Sequence, residues 1–135
     1  MLPSGLPEIV DDVEMLARFL FSSGHMNSTG VKASAFLPRK EDRETSVSRH
    51  GAIPADDLWN LAAVAANGRK VYGAGIIPTG KVRDTDLDVI SGEPPPRHAA
   101  IRDWPWNDAD PQKEKARHKE LALVLARDSE LVLVP

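Results

Sequence analysis

Apolar residues near the start of the chain recur at helical spacing: Ile9, Val13, Leu16 and Leu20, a stripe widened by Val10, Ala17 and Phe21. Pro7 suits a first helical turn, where a missing amide costs nothing, and Glu8, Asp11 and Asp12 put negative charge at the positive end of a helix dipole. With Gly24 as a stop, the spacing predicts a helix over 7–22. The pattern then changes to alternation. VKASAFLP (31–38) and TSVSR (45–49) read as half-buried strands, joined into a hairpin by the charged turn RKEDRE.

Pro54, Asp56 and Asp57 repeat the helix-start chemistry, Leu58, Leu61, Ala62 and Ala65 make an apolar stripe, and Asn67-Gly68 ends it. KVYGAGIIP (70–78) and DTDLDVI (84–90) read as two further strands, the second with Leu87 and Val89 inward and Asp86 and Asp88 in water. The prolines of GEPPPRH (92–98) each push the preceding residue out of the α region, which predicts an extended connector, and WPWNDADP (104–111) is irregular for the same reason. A charged helix follows from Pro111 to about Arg127, with Ala116, Leu121, Val124 and Leu125 inward and Glu114, Arg117, His118 and Glu120 solvated. ELVLVP (130–135) closes the chain as a buried strand. The order α-β-β-α-β-β-α-β predicts a single compact α+β domain over 1–135. Its sheet has about five strands, mostly antiparallel and mixed if the last strand pairs in parallel, with three helices packed on it.

Composition narrows the chemistry. At 135 residues the chain can bury one sizeable core without staples. The absence of cysteine excludes disulfides, cysteine-zinc sites and thiol nucleophiles. A net charge of -3 means that a nucleotide or nucleic-acid partner would have to be met by a local patch of basic residues and tryptophan. No long apolar run and no basic leader are present, so a membrane partner is not expected and the simplest address is the cytoplasm.

Two motifs nearly form. GIIPTGKV (75–82) follows the phosphate-loop pattern but has Val82 where a magnesium-binding hydroxyl belongs, and a strand-turn-strand reading suits it better. DTDLD (84–88) starts like a calcium loop but continues with Val89 and Pro95 where Gly and Glu are required. His25, His50, His98 and His118 lie too far apart for a short-range metal site, so neither metal nor cofactor is expected.

SRHGAIP (48–54) returns as PRHAAIR (96–102), yet the flanking residues at that offset share essentially nothing, which rejects duplication. Both Arg-His pairs fall at element ends, where functional groups concentrate. Arg49, His50, Arg97 and His98 could together run metal-free phosphoester chemistry, one imidazole as base, the other as acid, and Arg steadying the anion. The two-histidine phosphoesterase pattern itself fails, because Ala52 and Ala100 stand where Ser or Thr is needed. In IRDWPWND (101–108), Trp104 and Trp106 flank Pro105 beside Arg102, and one ring is expected to pack inward while the other stays exposed next to an arginine. The reading that follows is a small cytoplasmic interaction or accessory module, bacterial in character, whose Arg97, Arg102, Trp104 and Trp106 bind a protein or phosphate-containing partner. Its alternative is a metal-independent phosphodiesterase or ribonuclease with His50 and His98 as acid and base, aided by Arg49.

Overall fold

A computed structural model describes residues 2–50 and 55–135. The chain runs β1 (Met15–Leu20), β2 (Met26–Asn27), β3 (Gly30–Val31), β4 (Thr45–Arg49), α1 (Ala55–Ala66), β5 (Gly73–Pro78), α2 (Thr79–Arg83), β6 (Asp88–Ser91), β7 (His98–Arg102), α3 (Pro111–Asp128) and β8 (Glu130–Leu133). Six strands form one sheet in the order β6-β7-β4-β1-β5-β8, while β2 and β3 make a separate two-residue ladder. Every pair in the large sheet is antiparallel, the last strand included. The protein is therefore an α+β domain with an antiparallel sheet, and the described residues hold three helices and six strands in that sheet rather than five.

Two cores flank the sheet. Leu16, Leu20, Val47, Ile77 and Ile101 pack on one face against α3 residues Leu121 and Leu125, with Phe36 and Val82 closing the layer. On the other face Ala17, Phe19, Ala74 and Ile76 meet Leu58 and Ala62 of α1. Asp110 caps α3 by accepting from Lys113 N, and Pro111 follows at the first helical position.

The sequence pattern misplaces several elements, for identifiable reasons. The helix expected over 7–22 is a loop followed by central strand β1. Ile9 and Val13, half of the helical stripe, are each 81% exposed, whereas Leu16, Ala17, Phe19 and Leu20 are all buried because β1 is covered on both faces. A strand buried on both faces loses the two-residue alternation that would reveal it. The strand expected over 31–38 shrinks to β3 and a 3-10 turn at Ala33–Ala35, and β4 pairs with β1 and β7 instead of forming the expected hairpin. GEPPPRH is the turn of a β6-β7 hairpin rather than an extended connector, and β7, unrecognised in the sequence, carries Ala99, Ala100 and Ile101 in the core. Thr79–Arg83 is a short helix, not a turn into a strand. β8 lies at the sheet's edge with Leu133 exposed, so it is not a buried strand. His118, expected on the solvated face of α3, is buried. The start expected for the second helix at Pro54 falls outside the described residues.

Arg49, at the end of β4, is completely buried. Its Nε and Nη2 donate to the two Glu14 carboxylate oxygens at 2.5 and 2.7 Å, and Nη1 donates to the Pro7 carbonyl at 2.6 Å. This fork joins the loop before β1 to the centre of the sheet. Removing one partner of such a pair strands the other charge, so Glu14→Ala is expected to cost about 3–5 kcal/mol in denaturant unfolding. Replacing both groups by apolar residues, as in E14L with R49M, should cost clearly less than E14A alone.

Arg83 of α2 bridges Asp12 at 2.6 Å and Asp88 at 3.0 Å. The Val89 amide and then Arg83 hold the Asp88 carboxyl below its ordinary value. A depressed folded-state value contributes stability above the unfolded value, near 4 for aspartate, that is lost as pH falls through the folded one. Melting temperature should therefore drop below about pH 4, and Asp88→Asn should reduce the drop.

Candidate functional site

The two Arg-His elements are cross-strand neighbours. β4 and β7 pair with Ser48 opposite His98, and the end of the ladder is completed by side chains. Arg49 N donates to Arg97 O at 2.7 Å, while the Arg97 guanidinium donates to Arg49 O at 2.8 Å and to His50 O at 2.9 Å. Arg97 adopts a left-handed backbone (φ 66), an arrangement that costs a non-glycine residue about 1 kcal/mol and is held by these bonds. Arg49 and Arg97 are thus committed to the fold. His50 N donates to Met15 O at 2.9 Å, and its buried Nδ1 has no hydrogen-bond partner among the described residues.

The tryptophans divide. Trp104 is 1% exposed, donates from Nε1 to Ile101 O at 3.2 Å, and meets His118 edge-on at 5.6 Å between ring centroids. Trp106 is 62% exposed, and the Arg43 guanidinium lies 3.3 Å from its ring centroid. That arginine comes from the loop before β4, not from Arg97 or Arg102. Arg43 is held in turn by Glu114 at 3.2 Å and Asp108 at 3.7 Å. Arg102 is half-buried, 4.0 Å from Asp103, and opposite Asp88 in the register. Arg97, Arg102, Trp104 and Trp106 therefore differ sharply in what they present to solvent, and only Trp106 offers a large exposed surface.

A different concavity gathers His98 with residues that sequence spacing could not connect. β1 and β4 pair only at Leu16 opposite Arg49 and Ala17 opposite Ser48, and then diverge. The gap opens into a cleft of about 410 Å³ whose walls include Arg18, Arg39, Ser46, Arg69 and His98. Arg18 sits where the strands part: Nε donates to Ala35 O at 2.7 Å and Nη1 to Ser46 O at 2.9 Å. No carboxylate pairs with Arg18 among the described residues. Burial, then the charges of Arg39 and Arg69, pull its pKa down to about 10, so it stays charged at neutral pH. Burial and Arg18 also lower the pKa of His25. Arg69 lies 4.0 Å from the Phe21 ring centroid and, among the described residues, donates only to the Ala65 and Ala66 carbonyls, whereas Arg39 is paired with Asp42 at 2.6 Å. Glu44 is the acidic residue on the cleft wall.

His98 is held in a defined orientation. Its Nδ1 lies 2.9 Å from Gly92 O and its Nε2 lies 3.3 Å from Ser46 Oγ. A carbonyl only accepts, so Nδ1 carries the hydrogen and, in the neutral ring, Nε2 presents its lone pair to the Ser46 hydroxyl. Gly92 makes room for this: a Cβ there would stand 2.8 Å from His98 Nδ1. Ser4 fastens the same loop by hydrogen-bonding the Glu93 carboxylate through its amide, at 3.0 Å, and its hydroxyl.

The near-motifs take structural roles. Thr79 N and Gly80 N, which a phosphate loop would aim at its ligand, donate to Glu14 O at 2.9 Å and Asp12 O at 2.8 Å. Asp86 is a left-handed turn residue and Asp88 pairs with Arg83. Among the described residues no group of three or more His, Asp or Glu side chains is placed to hold a metal ion. No helix among them is long and apolar enough to cross a membrane.

No family model matches the chain, and no solved structure matches it. Over 95 residues, 70% of its length, it is 34% identical to Subtilisin-like protease 1 of Plasmodium vivax. The chain spans 15% of that protein.

Because a methyl group at Gly92 would collide with the imidazole, Gly92→Ala should displace His98 from its carbonyl acceptor. Imidazole nitrogen NMR is expected to show His98 altered and His118 unchanged; an unmoved His98 signal would contradict the packing described.

Proposed function

We propose that this chain is a cytoplasmic binding module for a phosphate-bearing partner, which it takes into the cleft between β1 and β4. One observation carries the reading: Arg18 is charged, half-buried and, among the described residues, hydrogen-bonded only to carbonyls, with Arg69 and Arg39 on the same cleft. A guanidinium without an acidic partner in a partly desolvated cleft favours an anion, and Arg presents a planar fork that suits phosphate oxygens. Asp42 and Glu44 temper the cleft's charge on the Arg39 side and leave Arg18 and Arg69 as its stronger end. The Trp106-Arg43 stack, which lies outside the cleft lining and beside α3, supplies a separate exposed aromatic surface for a protein or nucleotide partner. The name of the protease that shares sequence with this chain points to hydrolysis, but the chain's small share of that protein gives it no weight against the cleft.

Titration with inorganic pyrophosphate, followed by calorimetry or amide NMR, tests the reading. Binding is expected to weaken with added salt, and Arg69→Ala and Arg18→Met should each lower affinity on the order of tenfold or more, as loss of a charge-assisted hydrogen bond does. Arg127→Ala, at the end of α3, should leave it unchanged. Shifts spread evenly over basic surface residues, or equal affinity in all three variants, would defeat the proposal.

A further inference from the structure

We infer that Ser46 and His98 form a nucleophile-base pair that cleaves phosphate esters in this cleft, a step that rests on the cleft's reading as a phosphate site. Four features of the structure converge on it. The Ser46 hydroxyl and His98 Nε2 face each other at 3.3 Å on the cleft wall, a separation that tightens when substrate orders a site. Gly92 O fixes the imidazole tautomer from the other side, as an orienting acceptor must. Arg18 donates to the carbonyl of Ser46 itself, which sets a positive charge beside the nucleophile. Neither Ser46 nor His98 is sealed off, for both are half-buried, unlike Ser48 on the same strand, which is buried.

The neighbouring charge decides the substrate class. A guanidinium matches the equatorial oxygens of a phosphoryl group in transfer, whereas acyl chemistry calls for amides aimed at a single oxyanion. In the first step the Ser46 Oγ–P bond forms as the bond from phosphorus to the leaving alcohol breaks. The Ser46 proton passes to His98 Nε2 and on to the departing oxygen. Water then attacks the phosphoserine and gives a proton to His98. The Oγ–P bond breaks, that proton returns to Ser46 Oγ, and phosphate leaves. Atoms and charge balance with water as the co-reactant.

This centre differs from a two-histidine mechanism. His98 serves as base and then acid by itself, His50 has no chemical part, and Arg49 and Arg97 act only by holding β4 and β7 in register.

The test is covalent labelling of the whole chain with diisopropyl fluorophosphate, with peptide mapping by mass spectrometry, alongside hydrolysis of p-nitrophenyl phosphate. A single adduct on Ser46, slowed by inorganic pyrophosphate and at least a hundredfold slower in His98→Gln, is expected, since loss of a general base costs about that much or more. His50→Gln should label at the unaltered rate. Mapping on the unaltered chain locates the adduct even if Ser46→Ala fails to fold. No adduct, or one on another residue, overturns the nucleophile; if pyrophosphate still binds, the cleft's reading as an anion site survives that failure. An adduct on Ser46 that pyrophosphate neither slows nor competes with keeps the nucleophile and overturns the phosphate site beneath it.

Discussion

Arg49 is the group on which the centre of this fold depends. Its side chain enters the interior with a full charge and is matched there by both oxygens of Glu14 and by the Pro7 carbonyl, while its backbone exchanges hydrogen bonds with Arg97. Such a pair adds little net stability over apolar residues of the same shape, because desolvation offsets most of the attraction. What it does supply is register. A shift of β4 by one residue would move Arg49 to the opposite face, away from its acid, and Ser46 and Ser48 would turn into the core beneath α3.

That register determines where a cleft can open. β1 and β4 stay together only near Arg49, then part, and Arg18 of β1 crosses the gap to donate to Ser46 O of β4 and to Ala35 O of the 3-10 turn. The apolar cluster under α1 is built on β1 and β5 residues and includes neither Ser46 nor His98, which stay half-buried on the cleft wall. An exposed concavity lined by cations and hydroxyls results from two strands diverging and one helix covering only part of a sheet. The chain's net charge of -3 conceals it, because the positive groups are gathered locally.

Several of the residues singled out at element ends carry the architecture of the sheet. The repeated Arg-His letters mark two ends of one antiparallel ladder, and their arginines serve as a buried ion-pair partner and a clamp on backbone carbonyls. Proline between Trp104 and Trp106 sends the rings to different environments, as the spacing implied, but the arginine stacked on Trp106 comes from position 43. Ser46 was present in a correctly read strand and carried no signal of its own. Only its neighbours across the sheet single it out.

By itself the sequence determined what local chemistry can determine. TSVSR alternates and forms β4, α1 and α3 are helices close to where they were read, and the layer class follows from the succession of elements. The helices have one buried and one exposed face, which stamps a period on the residues, and in β4 Thr45, Val47 and Arg49 alternate with the two serines although most of the strand is buried. β1 and β7 lie inside the sheet, and apart from Arg18 in β1 and His98 and Arg102 at the ends of β7 their residues are apolar or small, most of them buried whichever face they point to, so the period is lost. The cleft was beyond reach for a related reason: Arg18, Ser46, Arg69 and His98 come from four separate segments, and their meeting is decided by strand order and by the point at which β1 and β4 diverge. Those are properties of long-range pairing, which no local pattern encodes.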